Sequence, residues 1–145
     1  MPRTFSIFSR LIRGKIEIAD IANAALAGGV AIGTACNLTN PGGALLIGVA
    51  AGALSTLGYA IIAPRVERLI RGTDTCGVHN LHGMPGVLGG LTGIIVTGNA
   101  GVQVLGIVIT VLIALFSGGI TGFIVHLSGT KEVPYCDEEE FILAD

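Results

Sequence analysis

Two long stretches without a formal charge, residues 21–64 and 75–130, constrain this 145-residue chain more than any other feature. A soluble domain is about a quarter charged, with its charges spread along the chain. Here only 12% of residues are charged, and they gather in three places. Arg3, Arg10, Arg13, Lys15, Glu17 and Asp20 stand near the start. Arg65, Glu67, Arg68, Arg71 and Asp74 stand in the middle, and the rest begin at Lys131. A water-soluble α/β core needs helices with one polar face and strands between charged turns, and neither pattern is present. With a mean hydropathy of +0.79, the chain reads as an all-α polytopic membrane protein whose solvent is the lipid bilayer.

The uncharged stretches divide at turn signals into about four transmembrane spans. The first is expected over about 21–38 and the second over about 43–63, with Asn40-Pro41-Gly42 as the turn between them. Pro64 is expected to stop the second span, and residues 65–74 to form a charged loop. The third span is expected from near Asn80 to about Thr97. The fourth runs over about 102–127, after a turn at Gly98-Asn-Ala-Gly101. Residues 1–19 then form a basic N-terminal segment, 20–128 the transmembrane region and 129–145 an acidic tail. With an even number of crossings between the basic clusters, all eight Lys and Arg fall on one side, so both termini are expected in the cytosol. Small-xxx-small pairs recur in the spans: Gly29/Gly33, Gly48/Gly52, Gly86/Gly90, Gly89/Gly93 and Gly118/Gly122. They predict close helix packing.

Other classes find no support. No basic patch interleaved with aromatics points to nucleic acid. Cys36, Cys76 and Cys136 are far apart and odd in number, which fits neither a disulfide framework nor a zinc site. The first fifteen residues are basic, with Phe5, Ile7, Phe8, Leu11 and Ile12, but lack the apolar run of a signal peptide. They fit an amphipathic segment lying at the membrane surface. The tail reads as a solvated acidic segment, or as a docking segment with Phe141, Ile142 and Leu143 as anchors. No nucleophile elbow, phosphate-binding loop or paired metal-ligand spacing marks an enzyme, and no cofactor is expected.

The chemistry concentrates in DTCGVHNLHGMPG, residues 74–86. On an α-helix His79 and His82 lie three apart on neighbouring faces, while Val78 and His82, four apart, share one. Asp74 is placed to cap the helix start, and Pro85 falls early enough for its missing N–H to cost little. Gly83 and Gly86 leave room for a neighbour or beside an imidazole. A histidine in a span is either bonded to a neighbour's carbonyl or part of a proton or solute path.

These words, together with NAALAGGVAIGT at residues 23–34, closely resemble the ammonium transporter family on its Rhesus (Rh) branch. RGKIEIADIANAALAGGVAIG resembles the approach to and start of that family's eighth transmembrane helix, and LLIGVAAGALSTLGY its ninth. NLHGMPGVLGGLTGI resembles the tenth, and residues 102–127 the eleventh. The resemblance implies homotrimers in which each protomer has a narrow apolar pore lined by two histidines. His82 matches the histidine of the tenth helix and Val78 a pore-lining position. Asp74 matches an acidic position at the cytosolic entrance. His79 is assigned behind the pore wall, and Asn23 a packing or hydrogen-bonding role. The implied function is ammonium/ammonia transport, with no enzymatic step, across what is expected to be the plasma membrane. An apolar pore favours NH₃ because the ion has the larger desolvation cost.

The family has two inverted repeats, and the matched helices belong to the second. His82 therefore has no twin here, and a pore at the repeat interface is not expected from this chain alone. The alternative expectation is a non-transporting truncated subunit that assembles with, or regulates, another Rh-type chain as a homo- or hetero-oligomer.

Overall fold

The computed structural model describes residues 9–12, 14–16, 18–74 and 77–129. Residues 1–8, Arg13, Glu17, Thr75, Cys76 and the acidic tail with Cys136 lie outside them. By contacts the chain divides into two compact units, Met1–Val108 and Ile109–Asp145. The secondary structure of the described residues is entirely helical: α1 (Ile18–Ile32), α2 (Pro41–Leu57), α3 (Ala63–Ile70), α4 (Met84–Thr97) and α5 (Ala100–Leu127). Two π turns, Gly58–Ile62 and His79–Gly83, join α2 to α3 and lead into α4.

Helix starts and stops follow local chemistry. Asn40 sits in extended backbone, and its Oδ1 accepts the Gly43 N–H at 2.8 Å, with Pro41 opening α2 where no N–H is needed. Gly98 ends α4 in the left-handed region (φ 69°), its N–H donating to the Ile94 carbonyl at 2.9 Å. Asn99 Oδ1 then accepts the Val102 N–H at 3.3 Å, so the expected turn closes early and α5 begins at Ala100.

In the first unit the buried face of α1 is Ala24, Ala27 and Ala31, one stripe at helical spacing. The core joins Ala27 and Ala31 to Ala51 of α2 and Leu81 of the second π turn, with Ile47 and Leu88 packed against them. Small side chains let the backbones come close. A Cβ on Gly28 would stand 3.3 Å from the Gly48 Cα, where α1 crosses α2. A Cβ on Gly89 would stand 2.5 Å from the Ala31 carbonyl oxygen, where α4 crosses α1. At the start of α1 the buried Ser9 hydroxyl donates to Asp20 Oδ2 at 2.8 Å.

The described part of the second unit is the remainder of α5. No residue of α5 is buried, and Leu115, Phe116 and Phe123 stand exposed on it. A helix apolar on every side suits lipid contact.

The expected second span is corrected. Pro64 does not stop it: helix continues from Pro41 to Ile70, 30 residues, through the π turn, and the expected loop over 65–74 is helical to Ile70. The π register has Ala63 N–H donating to the Gly58 carbonyl, and Pro64 falls in the first turn of α3, where its missing N–H is tolerated. By length and composition two helical runs can cross a membrane, Pro41–Ile70 and Ala100–Leu127. Helix α1 is shorter, 15 residues, and turns replace it from Gly33 to Thr39. The third expected span is helical from Val78 to Thr97, with its first turn in the π register.

Candidate functional site

The motif at residues 74–86 is held from its acidic end. Asp74 is half-buried, and its carboxylate accepts the His79 N–H at 3.1 Å (Oδ2) and 3.3 Å (Oδ1). The same carboxylate accepts the Asn80 side-chain N–H at 3.3 Å. Glu67 of α3 fixes Asp74 in turn, its Oε1 accepting the Asp74 N–H at 2.9 Å. The Asp74 carbonyl accepts the Gly77 N–H at 2.8 Å, and Gly77 is left-handed (φ 65°). These bonds satisfy N–H groups that a helix start leaves orphaned. Asp74 thus serves the start of the π turn from outside it, its carboxylate reaching the N–H five residues on.

The two π turns pack on each other. Asn80 is fully buried, and its Oδ1 lies where a Cβ on Gly58 would have to go, beside the Met84 methyl. Tyr59 fills the place a Cβ on Gly77 would take. Asn80 Oδ1 and the Ser55 hydroxyl, both buried, have no hydrogen-bond partner among the described residues. An unsatisfied buried polar atom costs about 1–3 kcal/mol, so the close approach here is held against a penalty.

Within the π turn the burial alternates sharply. Asn80 and Leu81 are buried, while Val78 is 54% exposed and His82 is exposed. The wide turn rotates His82 relative to Val78 from where α-helical spacing puts it. His79 is exposed, its Nδ1 3.2 Å from where a Cβ on Gly83 would stand. With Glu67 and Asp74 it lines a cavity of about 260 Å³. The structure therefore brings Asp74 and His79 together and sets Val78 and His82 on an open surface. Asn23 is half-buried on α1 and takes no part in the Asp74 hydrogen bonds. Among the described residues no three His, Cys, Asp or Glu side chains gather to hold a metal. What the sequence reading misses is Glu67, Asn80, Gly58 and Tyr59. Their one sequence signal is Pro64 at the edge of the apolar run, just before Arg65, where the helix changes register and does not end.

The profile of the Ammonium Transporter Family matches residues 3–142. The chain belongs to that family. Among ammonium transporters it is 38% identical over 165 residues to Ammonium transporter Rh type B of Danio rerio, covering 91% of this chain and 36% of the relative. It is 38% identical over 145 residues to Ammonium transporter Rh type C of Rattus norvegicus, covering 79% of this chain and 29% of the relative. A solved structure of Nitrosomonas europaea Rh50, described with the mechanism of conduction by the Rhesus protein family of channels, matches with a TM-score of 0.87. That match has 47% identity and covers 97% of this chain and 38% of that one. As an Rh-type member of a membrane transporter family, not an enzyme family, the chain spans about a third of the length of these relatives.

Proposed function

We propose that this chain supplies one wall of an ammonia-conducting pore of the Rh type. The carrying observation is the split within one turn: Asn80 and Leu81 are buried in the helix core, while Val78 and His82 present an apolar side chain and one imidazole outward. An apolar wall with a single hydrogen-bonding waypoint suits NH₃, which crosses with far less desolvation cost than NH₄⁺. Asp74 holds the turn that aims His82, and the family resemblance implies a second histidine on a helix not among residues 1–145. Four crossings with both termini in the cytosol, at the plasma membrane, complete the reading, supported by the one-sided placement of all eight Lys and Arg.

The test is uptake of methylammonium in cells that lack their own ammonium transporters. The chain alone supports none. Co-expressed with a chain supplying the first repeat of an Rh-type protein, it does, and His82→Ala abolishes uptake while the two chains still co-purify. Uptake by the complex that is indifferent to His82→Ala overturns the pore-wall reading. It would favour the second one, a subunit that assembles without conducting, for which the openness of the His82 surface also speaks. Single-cysteine labelling checks topology: position 99 reacts from outside, and position 68 only after permeabilisation.

A further inference from the structure

One side chain pins the back of the His79–Gly83 turn at two points. Asn80 is fully buried, and its Nδ2 donates to Asp74 Oδ2 at 3.3 Å. At the other end of the amide, Oδ1 lies 2.5 Å and Cγ 3.2 Å from where a Cβ on Gly58 would stand. Gly58 is buried and opens the other π turn, its carbonyl accepting the Ala63 N–H. The amide is therefore tied to the motif's acid at one end and seated on the backbone of the Pro41–Ile70 helix at the other. Oδ1 has no hydrogen-bond partner among the described residues, so shape and not a second bond fixes this end. A buried carbonyl oxygen without a donor is costly, so this seat is held by its surroundings and not by the preference of the amide.

We propose that Asn80 is a positioning residue for His82, and that Gly58 sets the position. The two lie two residues apart in one turn, on roughly opposite faces, Asn80 buried and His82 exposed. A pin on the buried face fixes the direction in which the exposed imidazole points. Leu81, also buried, does not supply this, because apolar contact is non-directional. An amide bonded at one end and wedged at the other resists rotation of the turn. Glycine at 58 is part of the device. A methyl there meets the Met84 methyl, which swings aside, and the Asn80 oxygen, which yields only by drawing Nδ2 off Asp74. The bearing of Asn80 on conduction rests on His82 lining the pore; its hold on the imidazole does not.

The test is the rate at which diethyl pyrocarbonate modifies each imidazole of the full chain in mild detergent, read peptide by peptide by mass spectrometry. His126, also exposed, is the control for His82. Asn80→Ala lets the turn rotate and lowers the His82 rate about fivefold, a size typical of coupling between touching groups, with His126 unchanged. Gly58→Ala does the same, and the double variant goes no further, because both act on one pin. Leu81→Ala destabilises the same turn yet keeps the His82 rate, and adding Met84→Ala does not rescue Gly58→Ala. An unchanged rate in Asn80→Ala, effects that multiply in the double variant, or an equal shift with Leu81→Ala overturns the proposal. Rescue by Met84→Ala does too, and assigns the role to Met84. Should Gly58→Ala fail to fold, the contrast between Asn80→Ala and Leu81→Ala decides; should Asn80→Ala fail, Gly58→Ala with and without Met84→Ala decides. Methylammonium uptake by the co-expressed complex is measured alongside and falls with Gly58→Ala as it does with His82→Ala. Uptake lost with His82→Ala but kept with Gly58→Ala also overturns the proposal. If His82→Ala leaves uptake intact, the pore-wall reading fails, while the modification rates still decide the positioning.

Discussion

Helices α1, α2 and α4 and the second unit's part of α5 are alike in composition and different in what their glycines do. Gly28 and Gly89 sit where a neighbouring backbone crosses within contact distance of a Cβ. Gly118 and Gly122 of α5, spaced four apart like Gly89 and Gly93, meet nothing within 4 Å among the described residues. The spacing of small residues permits close packing, but only a partner helix makes it necessary. In the sequence these two kinds of glycine are indistinguishable.

Substitutions that add one methyl test this contrast directly. Gly89→Ala drives a Cβ into the Ala31 carbonyl, and backbone cannot swing aside as a side chain can. We expect a loss of about 1–3 kcal/mol in the unfolding free energy of the full chain, read by titration from mild detergent into SDS. If Gly89→Ala is as stable as the parent, the α1–α4 crossing is looser than described and the contrast with α5 fails. Asp74→Ala follows, at about 1–2 kcal/mol by the same titration, because the His79 N–H and the Asn80 amide both lose their acceptor. Asp74→Asn should recover part of that loss.

Smaller effects sharpen the comparison. Ser55→Ala removes a buried hydroxyl that has no partner among the described residues, so stability should hold or rise by up to about 1 kcal/mol. A clear loss would reveal a partner for that hydroxyl. Gly118→Ala should fall within about 0.5 kcal/mol of the parent, since its Cβ enters open space on an exposed helix. A large loss there would mean that a neighbour packs on α5 in the assembled protein, and crosslinking from position 118 would identify it.

Much of the fold is legible in the sequence because its signals are local. Asn40-Pro41 and Gly98-Asn99 act through bonds to residues three or four away, and the structure places them as caps. Asp74 is legible as an acceptor for the start of the next helix, although its bonds reach five and six residues on. The π turns are not, because no residue in GYAII or HNLHG forbids an ordinary α turn. They depend on packing between distant segments, with the Asn80 side chain seated against Gly58 and Tyr59 against Gly77. Pro64 is misread as a stop because its effect depends on the register upstream of it. The length of α1 is misjudged because hydropathy alone does not locate the turns at residues 33–39. The role of Glu67 is likewise hidden, since a charge in a basic stretch gives no sign that its target is a backbone N–H seven residues on.

The π turn at His79–Gly83 also works as a setting of phase. An α-helix advances about 100° per residue, so one residue more or fewer turns everything beyond it by that angle. The wide turn absorbs one such step just before the straight run of α4. Shortening it by a residue would leave the helix intact in length and hydropathy, yet it would bring a different side chain to the place His82 now holds. Which face of α4 the rest of the protein meets is therefore decided by a single added residue, upstream of Gly89, Gly90 and Gly93 on α4.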